Sequence, residues 1–143
     1  MGKLKEKIFK DISGLKNAGL YGKAFGNMIK GDIQTAVRLF EELEEREPES
    51  YKQNPLLKSS LGECYTSLER YGDALRVFDP IYDNLEAKYQ KENWDALALR
   101  DAKMYSRFLY YYGVALKKLN HLAKSDMINR DYDLLSKRIG IVS

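Results

Sequence analysis

Glu41, Glu42, Glu44 and Glu45 stand within five residues of one another, and a carboxylate cluster could hold a hard cation. On a helix Glu41 and Glu45 share a face. With no histidine beside them, a solvated acidic helix surface is the commoner use of such a run. His121 is the one histidine and Cys64 the one cysteine, so the chain has neither a disulfide framework nor the ligands of a protein-built zinc site. His121 falls in a turn-like segment with no acid or nucleophile beside it, and reads as a solvated turn residue. Cys64 lies in an apolar helical pattern and reads as a small core residue. Gly19, Gly22 and Gly26 lack the preceding strand and the following Lys-Ser/Thr of a phosphate loop. These residues predict no enzyme, no metal and no cofactor.

A second group suits recognition. Tyr105, Tyr110, Tyr111 and Tyr112 accompany Arg107, Lys117 and Lys118. Aromatic rings and Arg are frequent anchors of protein interfaces. Rings above a basic track also stack single-stranded nucleic acid. Neighbouring helical residues point about 100° apart, so Tyr110, Tyr111 and Tyr112 cannot form one platform, and at least one faces a core.

The elements that position these residues read as helices. Leu4, Ile8, Ile12 and Leu15 make one stripe over residues 3–17, with Lys on the other faces. Leu20 to Ile29 keeps the helical period. Gly31 ends that helix and Asp32 caps the next, which runs to about Arg46 with Ile33, Ala36, Val37, Phe40 and Leu43 inward. Pro48 stops it. Pro55 opens a helix to Glu69, and Arg70-Tyr71-Gly72-Asp73 is the next turn. A helix from Asp73 meets Pro80, which predicts a kink or a break with Asp79 as a new cap, and continues to about Gln90. Residues 93–119 hold an unbroken helical period, one helix of about forty ångströms at 1.5 Å per residue. Asn120-His121 is a third turn, and Leu122 to about Lys137 is the last helix. No segment alternates like a strand, and the expected class is all-α.

The spacing of small and large residues in these helices resembles the tetratricopeptide repeat family, whose unit is two antiparallel helices with a W-x2-L-G-x2-Y…A-x3-F…P pattern. The middle pair matches best, with Leu61, Gly62 and Tyr65 on one helix and Ala74 and Phe78 on the other. The first keeps Ala36, Phe40 and Pro48, with Ala24 at the Gly position. The third keeps Gly113, Leu116 and Ser125, with Asn129 at the Phe position. Lys58 stands at the family's Trp, and the spacings from Ala36 to Ala74 to Ser125 exceed its 34 residues. The resemblance implies one domain over residues 1–143: a basic helix over 1–17, then helical hairpins at 18–50, 55–90 and 93–137. These would stack in a short right-handed superhelix.

It also implies a non-catalytic scaffold or adaptor that binds a peptide or partner helix in a concave groove. By position, that groove comprises Tyr21, Phe25, Met28, Ser59, Glu63, Thr66, Arg107, Tyr110, Val114, Lys117 and Lys118. Phe25 and Met28 serve equally well as core. Some family members grip a C-terminal carboxylate with a clamp of Lys, Asn and Arg. Here the clamp positions are Tyr21, Phe25, Ser60, Arg107 and Tyr111, and only Arg107 is of the right kind. The expected partner is a protein or peptide with apolar anchors beside an acidic group. The alternatives are a single-stranded nucleic-acid binder and a membrane-surface protein using residues 3–17 as a basic amphipathic helix.

The bulk numbers fit a protein binder. The net charge of +3 over 143 residues divides into blocks, +5 in residues 1–30, −5 in 31–50, −1 in 51–100 and +4 in 101–143. Alternating blocks suggest helix faces rather than one saddle for nucleic acid. The longest charge-free apolar run, Phe108 to Leu116, is far short of a membrane span, and no signal-peptide stretch opens the sequence. These readings predict a cytoplasmic protein. The C-terminal edge, with Leu134, Leu135, Ile139, Ile141 and Val142, predicts either a tail folded over the last helix or self-association there.

Overall fold

In the computed structural model, which describes residues 18–140, the protein is all-α, with seven α-helices and no strand among those residues. They are α1 (Ala18–Lys30), α2 (Ile33–Arg46), α3 (Pro48–Lys52), α4 (Pro55–Ser67), α5 (Tyr71–Lys88), α6 (Leu99–Lys118) and α7 (Leu122–Arg138), with a 3-10 turn at Lys91–Ala96. The helix expected over residues 3–17 lies outside the described residues. The chain divides into two compact units, one up to Leu57 and one from Lys58.

One register governs three hairpins, α1–α2, α4–α5 and α6–α7. In each, the register is counted from a small residue inside the first helix, Ala24, Gly62 or Gly113, taken as the start. Seven residues on, a left-handed residue makes the turn, Gly31 at φ 89°, Glu69 at φ 61° and Asn120 at φ 62°. Each turn closes with the same pair of backbone bonds. The left-handed residue donates three residues back, Gly31 to Met28, Glu69 to Thr66 and Asn120 to Lys117. The next residue donates five back, Asp32 to Asn27, Arg70 to Tyr65 and His121 to Leu116, at 2.8–2.9 Å. These are the 6→1 and 5→2 bonds that satisfy the last carbonyls of a helix. The second helix then begins nine residues after the small residue, at Ile33, Tyr71 and Leu122. Twelve residues after the start stand Ala36, Ala74 and Ser125, each buried. Small residues at both positions let the helix backbones approach closely.

In the first unit, α1 packs on α2 and α2 on α3. Ala36, Val37, Phe40 and Leu43 form the buried stripe of α2, and Phe25 of α1 meets Phe40 edge-on at 5.2 Å. Asp32 Oδ1 accepts from Thr35 N at 3.3 Å, the cap read from the sequence. Pro48 does not simply stop the chain. Glu47 leaves the helical conformation at φ −134° and ψ 61°, and Pro48 occupies the first position of the short α3. Buried Tyr51 of α3 donates through Oη to Leu57 O at 3.3 Å. Asn54 Oδ1 caps α4, accepting from the Leu56 and Leu57 N–H groups.

In the second unit, α5 packs on α6 and α6 on α7. Three expectations change here. The turn after α4 takes its positive φ at Glu69, so Gly72 lies inside α5. Pro80 does not break α5, which runs from Tyr71 to Lys88. Asp79 caps nothing; its carboxylate accepts from Tyr112 Oη at 2.5 Å and faces Lys124 at 3.7 Å. The single helix expected over 93–119 is two pieces. The 3-10 turn buries Trp94, whose indole donates to Tyr89 O at 3.2 Å, and Leu97 is extended before α6 starts. Arg138 of α7 donates to the carbonyls of Asp95 and Leu97, holding that break open. Lys91 anchors the turn's start, 3.1 Å from Asp131, which also accepts from Tyr82 Oη at 2.6 Å. The core here is aromatic: Phe78, Tyr82, Phe108 and Tyr112 lie at ring distances of 5.4–5.8 Å.

Candidate partner-binding surface

The groove residues expected from the sequence separate by burial. In the first unit, Tyr21 is buried, so it belongs to the core and not to an accessible wall. Burial, and then the charge of Glu47, raise its phenol above the usual range. Phe25 and Met28 are half-buried, Phe25 against Phe40.

In the second unit, Ser59 of α4 is half-buried, whereas Thr66 and Glu63 are buried. Thr66 Oγ1 is spent on its own helix, donating to Gly62 O at 2.8 Å. Glu63 is spent on α6. Arg107 donates through Nε at 2.9 Å and through Nη2 at 2.5 Å to its two carboxylate oxygens. That fork is the bidentate geometry of an Arg–carboxylate pair. It holds the guanidinium above its usual pKa. The Arg107 side chain is 65% exposed against 11% for Glu63, so one edge of the cation is tied down and the rest faces out. Thr66 and Glu63 therefore drop out as exposed groove positions.

The α6 residues make an outward stripe. Arg107, Tyr110, Lys117 and Lys118 are exposed and Val114 is half-buried. The tyrosine run splits as helical geometry demands: Tyr110 is 51% exposed, Tyr111 half-buried, and Tyr105 and Tyr112 buried. Two of the four rings that could have stacked bases are core.

Beside this stripe is a cleft of about 530 Å³, lined by Lys103, Ser106, Arg107, Tyr110, Tyr111, Tyr132 and Ile139. Three tyrosines make its walls. Tyr110 meets Tyr111 edge-on at 5.2 Å and Tyr132 of α7 at 5.8 Å. Arg107 lies 5.7 Å from the Tyr111 ring centre. Burial first, and then the Glu63 carboxylate, raise the Tyr111 pKa and keep its phenol protonated. Ser106, which lines the cleft, shares a hydrogen bond with the buried Ser136 hydroxyl at 3.3 Å. Sequence reasoning placed Arg107 and Tyr110 in the groove, named Tyr111 among the recognition rings and Ile139 at the C-terminal edge, and missed Lys103, Ser106 and Tyr132. The spacing of 103, 106, 107, 110 and 111 was a readable stripe. Tyr132 had a signal too, since it stands nineteen residues after Gly113 as Ile81 does after Gly62.

At the C-terminal edge Leu134 is 48% exposed, Leu135 fully buried and Ile139 half-buried. Ile141 and Val142 lie outside the described residues. Among the described residues no group of three His, Cys, Asp or Glu could hold a metal ion, and no helix is long and apolar enough to cross a membrane. Cys64 is buried, and that burial pushes its thiol up to about 12, so it is protonated and unreactive near neutral pH. Comparison with protein-family models, with curated proteins and with solved structures finds no match to this chain.

Proposed function

We propose that this protein is a non-catalytic interaction module, a scaffold or adaptor built as a short tetratricopeptide-like array, that binds a partner protein along the outward face of α6. The observation that carries this reading is that face itself. Arg107, Tyr110, Lys117 and Lys118 stay exposed on one stripe beside a tyrosine-walled cleft. The repeated hairpin register supports the array. Stacked hairpins leave one helix of each pair facing outward, and such surfaces serve recognition. A cleft of this size falls within the range of ligand sites, and its Tyr and Arg content is that of interface anchors.

The partner that fits carries apolar anchors beside an acidic group, because the stripe supplies rings and cations. The test is capture of partners from the source cell by wild type and by a Tyr110→Ala, Lys117→Glu, Lys118→Glu variant, with affinities then measured at low salt. Tyr110, Lys117 and Lys118 are exposed, so the variant keeps its fold while its surface charge reverses at two positions. Weaker binding by the variant is expected through electrostatic mismatch and a lost ring contact. Equal affinity for the same partner would remove the α6 face from consideration.

A further inference from the structure

The cleft lies on a hairpin face whose counterpart, one hairpin earlier, is covered by a helix. On α4–α5 that covering helix is α6. It reaches α4 through Arg107 on Glu63, and α5 through Phe108 on Phe78 and Tyr112 on Tyr82. Ser60 and Ile81, at this register on α4 and α5, are buried. Shifted by the common register, the same positions on α6–α7 are Tyr111 and Tyr132. These are only half-buried and line the cleft. The third hairpin therefore presents a seat whose preceding copy takes a helix, and no helix follows it among the described residues.

The chemistry of the seat differs from its predecessor in a way that selects its occupant. Where the earlier seat offers the Glu63 carboxylate to a cation, this one has Val114. Where the earlier seat has Ser59 and Ser60, this one has Tyr110 and Tyr111, with Arg107 one turn before them. Lys103 adds a second cation, with no ion pair among the described residues, and no acidic residue lines the cleft. A basic helix such as a second copy's α6 would bring Arg107 against Val114 and toward Lys103.

We infer that the cleft between α6 and α7 receives an amphipathic helix of a partner protein, with a large apolar side chain among Tyr110, Tyr111 and Tyr132 and a carboxylate at Lys103 and Arg107. This rests on the interaction reading above and gives it an address and a chemistry. Helix-in-groove recognition of this kind places anchors three and four residues apart along the guest.

The test uses the full chain and a displayed library of helical peptides randomised on one face. The expected result is enrichment of peptides with Asp or Glu beside Phe, Trp or Leu. These should bind about tenfold more weakly to Tyr132→Ala and to Lys103→Glu, a typical loss for an interface anchor. Lys103 is exposed, so its variant keeps the test valid even if Tyr132→Ala loosens α7. Enriched peptides without an acidic residue, or indifferent to both substitutions, overturn the inference. If those peptides instead lose affinity to Lys117→Glu with Lys118→Glu, the interaction reading stands and only the cleft falls. No enriched binder overturns both. A wild-type dimer that becomes a monomer on Tyr132→Ala identifies a second copy as the occupant and overturns the partner assignment.

Discussion

A methyl group added at Gly62 should cost more stability than the same group added at Gly113, although both residues stand at the same place in their hairpins. A Cβ built at Gly62 collides with one edge of the Phe78 ring, closer than any real contact to three of its atoms. That ring cannot retreat, because Phe78 is fully buried and meets Phe108 at 5.4 Å and Tyr112 at 5.7 Å. Overpacking of this kind costs about 3 kcal/mol at the upper end of its usual range, and the better helix propensity of Ala returns about 1. Gly62→Ala should therefore lose about 2 kcal/mol. With a urea slope of about 2 kcal/mol per molar, the midpoint falls by about 1 M. At Gly113 the new Cβ meets Asn129 Oδ1 at 2.5 Å, but Asn129 is exposed and its amide can turn away. Gly113→Ala should be near neutral. Trp94, the only tryptophan, is buried in the second unit, so its fluorescence reports on the unit containing both glycines. Far-UV circular dichroism gives the parallel helix signal. Phe78→Leu should relieve Gly62→Ala, with a coupling above about 0.5 kcal/mol in the double mutant. Equal losses at Gly62 and Gly113, or additive effects at 62 and 78, would refute the close approach of α4 and α5.

Other substitutions test the remaining contacts. Tyr82→Phe removes the hydroxyl that donates to buried Asp131 and should cost about 1–2 kcal/mol in urea unfolding, with Lys91 left as its ion-pair partner. Asp32→Ala should remove about 1 kcal/mol of helix stability from the first unit, seen as lost ellipticity before the Trp94 transition moves. Glu69→Gly should add about 1 kcal/mol, since Glu69 sits at φ 61° where a side chain is strained; no gain in midpoint would argue against that turn. Stability should fall as pH rises past about 9. Cys64 is raised from 9.0 to about 12 by burial, and burial with nearby carboxylates raises Tyr82 and Tyr112 above 10.0. The folded chain thus keeps protons that the unfolded chain releases, so stability is full below the unfolded pKa values and declines above them. A urea midpoint unchanged between about pH 8 and 11 would contradict the burial of these groups.

Periodicity and caps are local, and what they control was readable along the chain. The inward stripe Ala36, Val37, Phe40 and Leu43, the Gly31 turn and the Asp32 cap depend on residues within five positions of each other, and all are in place. The small residues at Gly62 and Ala74 likewise mark a buried crossing, because only small side chains admit two helix backbones. Local pattern misled where distant residues decide. Trp94 and Leu97, three apart, satisfy an α-helix and a 3-10 turn equally; Arg138, reaching carbonyls 41 and 43 residues away, selects the turn. Glu63 looks like a surface acid in sequence, and Arg107, 44 residues on, makes it a buried one. The cleft needed the same kind of knowledge, since Tyr132 becomes a wall only when α7 lies against α6. The linear pattern determined which residues form helices and where the chain reverses, because those depend on bonds a turn or two long. Only the tertiary structure decided which polar side chains are consumed in the core and which rings remain on the surface, because covering a face takes a second helix.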